Sequence, residues 1–283
     1  MLLTAKPYIA VIQGAEKLAK TEILLSCMFL SDSKEMIKRS HITSDTVIIN
    51  QCDEENYKEE NICNALLRTF SVTDRGLTKS RNLAISKSQA DICIICDDDE
   101  IFNEGYEKAV SSAYDALPDA DIIIFDMVDR PLKWGNSIKR LGYIDLMSVS
   151  SWQITFRREK LLASGVLFDE NMGAGSGNGA EEEFRFLTQC RKAKLRIYHY
   201  PFRLASVAQT QTTCFKSFDE EFFVNRGNTT RYIMGLPLSV LYAAYYAFAK
   251  RKQLSGMSML RAFSYTVKGI KENRLTKLKK GKK

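Results

Sequence analysis

Histidine is almost missing from the chain. His41 and His199 are the only two in 283 residues, too few and too far apart to build a histidine metal centre. Cysteine is present without a framework: Cys27, Cys52, Cys63, Cys93, Cys96, Cys190 and Cys214 are odd in number and scattered, which argues against a secreted disulfide scaffold and for a reducing compartment. Cys93 and Cys96 form a C-x-x-C, but no second pair stands at zinc spacing, and both sit in an apolar run where a thiol acts as a small hydrophobe. The N-terminal residues lack the long apolar core of a secretory leader, so the body is expected to remain cytoplasmic. No internal repeat is visible, and lysine-rich residues at the C-terminus are the only low-complexity stretch. What is plentiful is hydrophobic material, 45% of the chain, enough for one large buried core with an appendage. The net charge of +7 conceals a division: residues 250–283 hold twelve Lys or Arg against Glu272, a local +11 that leaves the preceding 249 residues at −4.

Apolar runs rich in β-branched residues recur at 23–30, 46–51, 91–96, 121–127 and 195–200, and helical spacing occupies 80–88 and 105–117. This alternation predicts an α/β layer fold with a mainly parallel sheet between helices. In such sheets ligands gather at the carboxyl ends of strands. Two of those ends are acidic: Asp97, Asp98, Asp99 and Glu100 follow one run, and Asp53 follows another, beside Asn50 and Gln51. Three successive aspartates repel one another unless something positive neutralises them. On an extended chain Asp97 and Asp99 face one way and Asp98 the other, so Asp97 and Asp99 are the expected ligands of Mn²⁺ or Mg²⁺, with positions left open for diphosphate oxygens. The alternative is a solvated acidic turn that starts the helix after Asn103.

The surroundings of this acidic end carry a resemblance. Gly76, Arg81, Asn82 and Ala84 stand as Gly-x-x-x-x-Arg-Asn-x-Ala, one short helix before the strand that ends in Asp97-Asp98-Asp99. Further on come Phe168-Asp169-Glu170, glycines at 173, 175, 177 and 179, and Glu181-Glu182-Glu183. In order and spacing, residues 22–205 resemble family 2 glycosyltransferases. That resemblance implies a GT-A type nucleotide-diphospho-sugar transferase fold in residues 1–225, with 226–283 as a helical, basic appendage. It implies an inverting glycosyltransferase that moves sugar from a nucleotide-sugar donor, UDP-linked by first preference, to a glycan or lipid-linked acceptor in cell-surface polysaccharide synthesis. By the same resemblance Glu182 is the general base, Asp53, Arg81, Asp97 and Asp98 contact the nucleotide sugar, and Trp152 and Glu181 border the acceptor. Two departures stand out: the first strand lacks the Pro-x-Tyr-Asn that often follows it, and Ala180 replaces a glycine. The alternative readings are a helix start decorated with acids for Glu181 to Glu183, core packing for Trp152, a turn for Asp53, and a hydrogen-bonded structural role for His199.

The eighteen residues 232–249 carry no charge, which reaches the lower limit of a membrane span. A single crossing would put the body and the basic tail on opposite sides, against the positive-inside tendency. The expectation is an interfacial or packed helical segment, with the tail drawn to an anionic membrane surface; the alternative is a buried helix followed by a disordered tail. Other readings of the whole chain are a metal-dependent nucleotidyltransferase using Asp97 and Asp99, and a non-catalytic module with a basic tail. No nucleic acid is expected, because the charge is terminal and poor in aromatics.

Overall fold

The computed structural model describes residues 19–62, 64–176, 178, 181–208, 217–254 and 256–281. The expectations resting on the N-terminal leader, Cys63, Gly177, Gly179, Ala180 and Cys214 lie outside these residues. In chain order the elements are β1 (Thr21–Met28), α1 (Ser33–Arg39), β2 (Asp45–Gln51), β3 (Asn56–Ile62), β4 (Ala65–Val72), α2 (Leu77–Lys87), β5 (Ile92–Asp97), β6 (Glu100–Phe102) and α3 (Tyr106–Ala116). Then follow β7 (Ile122–Met127), β8 (Lys139–Arg140), β9 (Ile154–Arg157), α4 (Arg158–Ser164), α5 (Glu182–Lys192) and β10 (Ile197–Val207). Four helices close the chain: α6 (Glu220–Met234), α7 (Leu236–Ala249), α8 (Met259–Glu272) and α9 (Arg274–Gly281).

The ten strands form one mixed sheet in the order β3-β4-β2-β1-β5-β9-β7-β10-β6, with β8 also on β10. β4, β2, β1, β5, β7 and β10 run parallel, and the antiparallel members are β3, β6, β8 and β9. The central strands are nearly continuous apolar runs because helices cover both faces. Alternate residues serve opposite layers: Leu24 and Ile95 pack with Phe156 and Phe186 on one side, whereas Ile23, Leu25 and Ile94 pack with Phe125 and Tyr106 on the other. Cys93 and Cys96 are fully buried within β5 and free, and Cys27, Cys52 and Cys190, elsewhere in the fold, are also buried and free. A buried ion pair, Arg68 to Glu22 at 2.5 Å, ties β4 to the start of β1.

The apolar segment 232–249 is not one helix. Gly235, with φ of 79°, ends α6 and caps α7, and Pro237 occupies the first turn of α7. Among the described residues no helix is long and apolar enough to cross a membrane. Beyond it the chain continues as α8 and α9, so the disordered-tail alternative does not hold for the described part. A small core of Phe223, Ala247, Leu254 and Ala262 joins α6, α7 and α8. α6 and α8 cross at Gly227 and Gly269, where an added Cβ would lie 2.0 Å from the carbonyl oxygens of Thr266 and Val224; only glycine lets the two backbones approach this closely. The division expected after residue 225 falls inside α6.

Candidate active site

The parallel strands β1, β2, β5 and β7 end on the same side of the sheet, where a cleft of about 1120 Å³ opens. Its walls include Arg81 from α2, the Asp97 to Asp99 strand end, Trp152, and Glu181 to Glu183 at the start of α5. Two sequence blocks that lie some eighty residues apart on the chain are thereby brought together by the fold. Asp53 is the exception among the expected site residues. Its side chain is 86% exposed and pairs with Arg75 at 2.6 Å, and it is Arg75 that reaches the cleft wall.

Arg81 organises the site. Its side chain is 1% exposed, its Nη2 donates to both oxygens of Asp97 at 3.0 and 3.1 Å, and its Nη1 lies 3.3 Å from Glu183 and 3.6 Å from Glu182. Phe168 lies beneath the guanidinium at 5.4 Å. Burial works against the charge of Arg81, and Asp97, Glu183 and Glu182 more than offset it. One buried cation thus holds three carboxylates in place, a geometry suited to a planar, forked donor.

The acidic strand end departs from the extended alternation expected for it. β5 stops at Asp97, and Asp98 and Asp99 form a turn before β6. The bland alternative fails as well: β6 intervenes, and α3 starts only at Tyr106, so the aspartates do not open that helix. The turn is fixed from its backbone. Arg39 donates to the Asp98 carbonyl at 2.9 Å, the Ala208 N–H to the Asp99 carbonyl at 2.8 Å, and the Asp97 N–H to Glu100 Oε1 at 2.8 Å. Asp97 also accepts from Ser151 Oγ at 3.0 Å. Burial and then the neighbouring Asp97 push the carboxyls of Asp98 and Asp99 above their ordinary range, with Asp98 adding to the effect on Asp99. A hard divalent cation at this strand end would relieve the repulsion among Asp97, Asp98 and Asp99. Among the described residues no three His, Cys, Asp or Glu side chains form a metal cage, so a cation here would take further ligands from a bound substrate or water.

Glu182 opens α5 and is buried, and burial followed by repulsion from Glu183 pushes its carboxyl up to about 8 in spite of Arg81. Glu181 precedes it in the left-handed region, φ 67°. Its two oxygens accept from Arg226 at 2.6 Å and from Thr229 at 2.7 Å, so α6 clamps this side of the cleft. The glycine-rich loop has a definite job at its described positions. Gly173 and Gly175 have φ of 89° and 86°, and a Cβ on Gly175 would meet the Cα of Gly76 at 3.3 Å; the Leu77 N–H donates to the Ala174 carbonyl at 3.1 Å. The loop therefore packs on the start of α2 and carries α5 to Arg81.

His199 is fully buried, with Nδ1 3.0 Å from the Ser137 carbonyl and Nε2 3.0 Å from Asp126, the structural setting expected for it. Sequence reasoning missed Arg75, Arg130, Lys133 and Asp126 on the cleft wall. Arg130 and Lys133 follow β7 in a stretch without a motif; their one signal is that β7 is a parallel strand whose carboxyl end must face the cleft. Arg130 lies 6.0 Å from the ring of Trp152, which is partly buried.

No protein-family model and no curated protein matches the sequence. Solved structures do match. Residues 1–349 of TarS from S. aureus in complex with UDP-GlcNAc align with a TM-score of 0.56 at 14% identity, covering 87% of this chain and 75% of that one. The same TarS fragment in complex with UDP gives 0.51 at 12% identity, covering 82% and 71%. The chain is similar in fold to TarS. At these identities the likeness establishes the shared architecture, a mostly parallel sheet flanked by helices with further helices at the C-terminus.

Proposed function

We propose that this protein is an inverting glycosyltransferase that moves a sugar from a nucleotide-sugar donor, UDP-linked by preference, to a hydroxyl of a glycan or lipid-linked acceptor in cell-surface polysaccharide synthesis, working from the cytoplasmic side. The observation that carries it is the buried Arg81, which joins the Asp97 strand end to Glu182 and Glu183 at the wall of one large cleft. The UDP-GlcNAc and UDP complexes of a protein with this fold support the choice of donor.

In this reading Asp99 and Asp97 would hold Mn²⁺ or Mg²⁺. Bound there, the cation supplies Lewis-acid neutralisation of the departing diphosphate. Arg81 and Asp98 face the donor, and Asp53 acts through Arg75, which it holds at the wall. Trp152 offers a ring face to the acceptor, while Glu181, clamped by Arg226, fixes the start of α5. Glu182 in its ionised form takes the proton of the acceptor hydroxyl as that oxygen bonds to the anomeric carbon. The bond from that carbon to the diphosphate breaks, and its electron pair leaves with the nucleoside diphosphate.

Product analysis tests this. Incubation with UDP-sugars and Mn²⁺ is expected to give nucleoside diphosphate and a sugar of inverted anomeric configuration by NMR. Release of sugar 1-phosphate from the UDP-sugar, or of pyrophosphate from a nucleoside triphosphate supplied with sugar 1-phosphate, would instead assign nucleotidyl transfer and overturn the reading.

A further inference from the structure

α7 is an unusual helix for a surface. It carries no charged residue, and it buries only Ser239, Ala243 and Ala247, a stripe of small side chains at a spacing of four. Its large side chains face outward: Leu238, Leu241, Tyr245 and Phe248 recur at spacings of three and four on one face, with Leu241 68% and Tyr245 64% exposed. At the start of α8 Leu260 is 74% exposed beside the exposed Met259. Half of all the exposed large hydrophobic side chains among the described residues fall within 236–260, whereas those of the catalytic body are scattered. An apolar face of this density marks a site of interaction.

Charge identifies the occupant. From Phe222 to Lys271 the sequence has no Asp or Glu and eight Lys or Arg. Arg251, Lys252 and Arg261 are exposed and adjoin the apolar residues in sequence, and the guanidinium of Arg251 lies 4.0 Å over the ring of Phe248, an apolar stem and charged head arranged as at a lipid boundary. A protein partner with an ordinary mixed surface offers no reason for acids to be absent over so long a stretch. An anionic bilayer does.

We infer that α7 and the first turn of α8 form a monotopic docking face that inserts its apolar side chains into the interfacial region of an anionic phospholipid membrane, with Lys250, Arg251, Lys252 and Arg261 against the headgroups. The docked helix is tied to the cleft through Arg226, which donates to the Tyr242 hydroxyl on α7 at 2.9 Å and to Glu181 at 2.6 Å. Docking therefore sets the cleft at a fixed height over the lipid surface. The face is defined independently of glycosyl transfer, and its test needs no donor.

The test is flotation of the full chain with vesicles of phosphatidylcholine alone and of phosphatidylcholine with phosphatidylglycerol in equal parts. Flotation with the anionic vesicles only, weakened about tenfold or more both by L238S/L241S/Y245S/F248S and by K250Q/R251Q/K252Q, supports the inference. The four apolar positions are exposed, and unchanged circular dichroism together with an unchanged melting temperature separates lost docking from lost folding. A native chain that stays at the bottom with both vesicles overturns it. So does a native dimer in sedimentation that the apolar-face variant makes monomeric without any vesicle binding, which would give the face to a second copy of the chain.

Discussion

Three carboxylates and one guanidinium set the energetics of the cleft at the residue scale. Arg81 is fully buried among Asp97, Glu182 and Glu183, so replacing it with methionine strands negative charge in a dry site. Arg81→Met is expected to cost about 3 to 5 kcal/mol in urea unfolding, whereas a surface pair such as Lys79 with Asp74 removed by Lys79→Met should change stability by less than about 1 kcal/mol. Glu182 makes a second prediction, and its sign follows from the raised carboxyl. The native state holds this proton more tightly than the unfolded chain, so the stability it contributes is complete below the ordinary value of 4.5 and is lost as pH climbs through about 8. Glu182→Gln mimics the protonated form. Its melting temperature is expected to match the native protein near pH 4 and to exceed it clearly at pH 9, while turnover falls by roughly two to four orders of magnitude. A base must be ionised to accept a proton, so kcat/KM of the native enzyme should rise with pH up to about 8; a plateau reached near pH 5 would remove Glu182 from that role. The residues of this cluster were legible from spacing alone, but their pairing was not. The extended alternation of Asp97 and Asp99 broke down because Asp98 and Asp99 are drawn into a turn by Arg39 and Ala208, contacts made across distant parts of the chain.

Among elements, the long parallel strands were the easiest to read, because strands buried on both faces are written as unbroken apolar runs: 46–51 corresponds to β2, and 121–127 to β7. β3 and β9 escaped. β3, Asn56–Ile62, is largely exposed and rich in polar residues, since as an edge strand it is held by its ladder to β4. β9 has only four residues and takes its place from β5 and β7 on either side. The α6–α8 crossing was equally hidden, for a glycine inside a helical pattern signals close approach only once its neighbour is known. Gly227→Ala forces a methyl against the Thr266 carbonyl and is expected to cost about 1 to 3 kcal/mol or more through overpacking, read as a lower melting temperature. Since Arg226 and Thr229 on α6 hold Glu181, the same variant should also lower kcat; an unchanged kcat in a destabilised variant would show that the appendage does not brace the cleft.

The whole molecule joins a layer fold of slightly negative charge to a strongly basic helical end, a division that composition alone revealed. Order along the chain, acidic strand end before glycine-rich loop before acidic helix start, was sufficient to anticipate the architecture shared with TarS. What composition could not supply was depth: that the cleft reaches about 1120 Å³, and that cations from the stretch after β7 line it together with the aspartates. The central claim is that this cleft transfers sugar from a nucleotide through Asp99 and Glu182 acting in different roles. The most direct measurement is nucleoside diphosphate release from a panel of nucleotide sugars with Mn²⁺ or Mg²⁺, comparing the native chain with Asp99→Ala and Glu182→Gln. The account predicts metal-dependent release from one class of donor, loss of metal dependence together with activity in Asp99→Ala, and loss of activity with donor binding retained in Glu182→Gln. Release that proceeds without metal, or at the native rate in either variant, would contradict it.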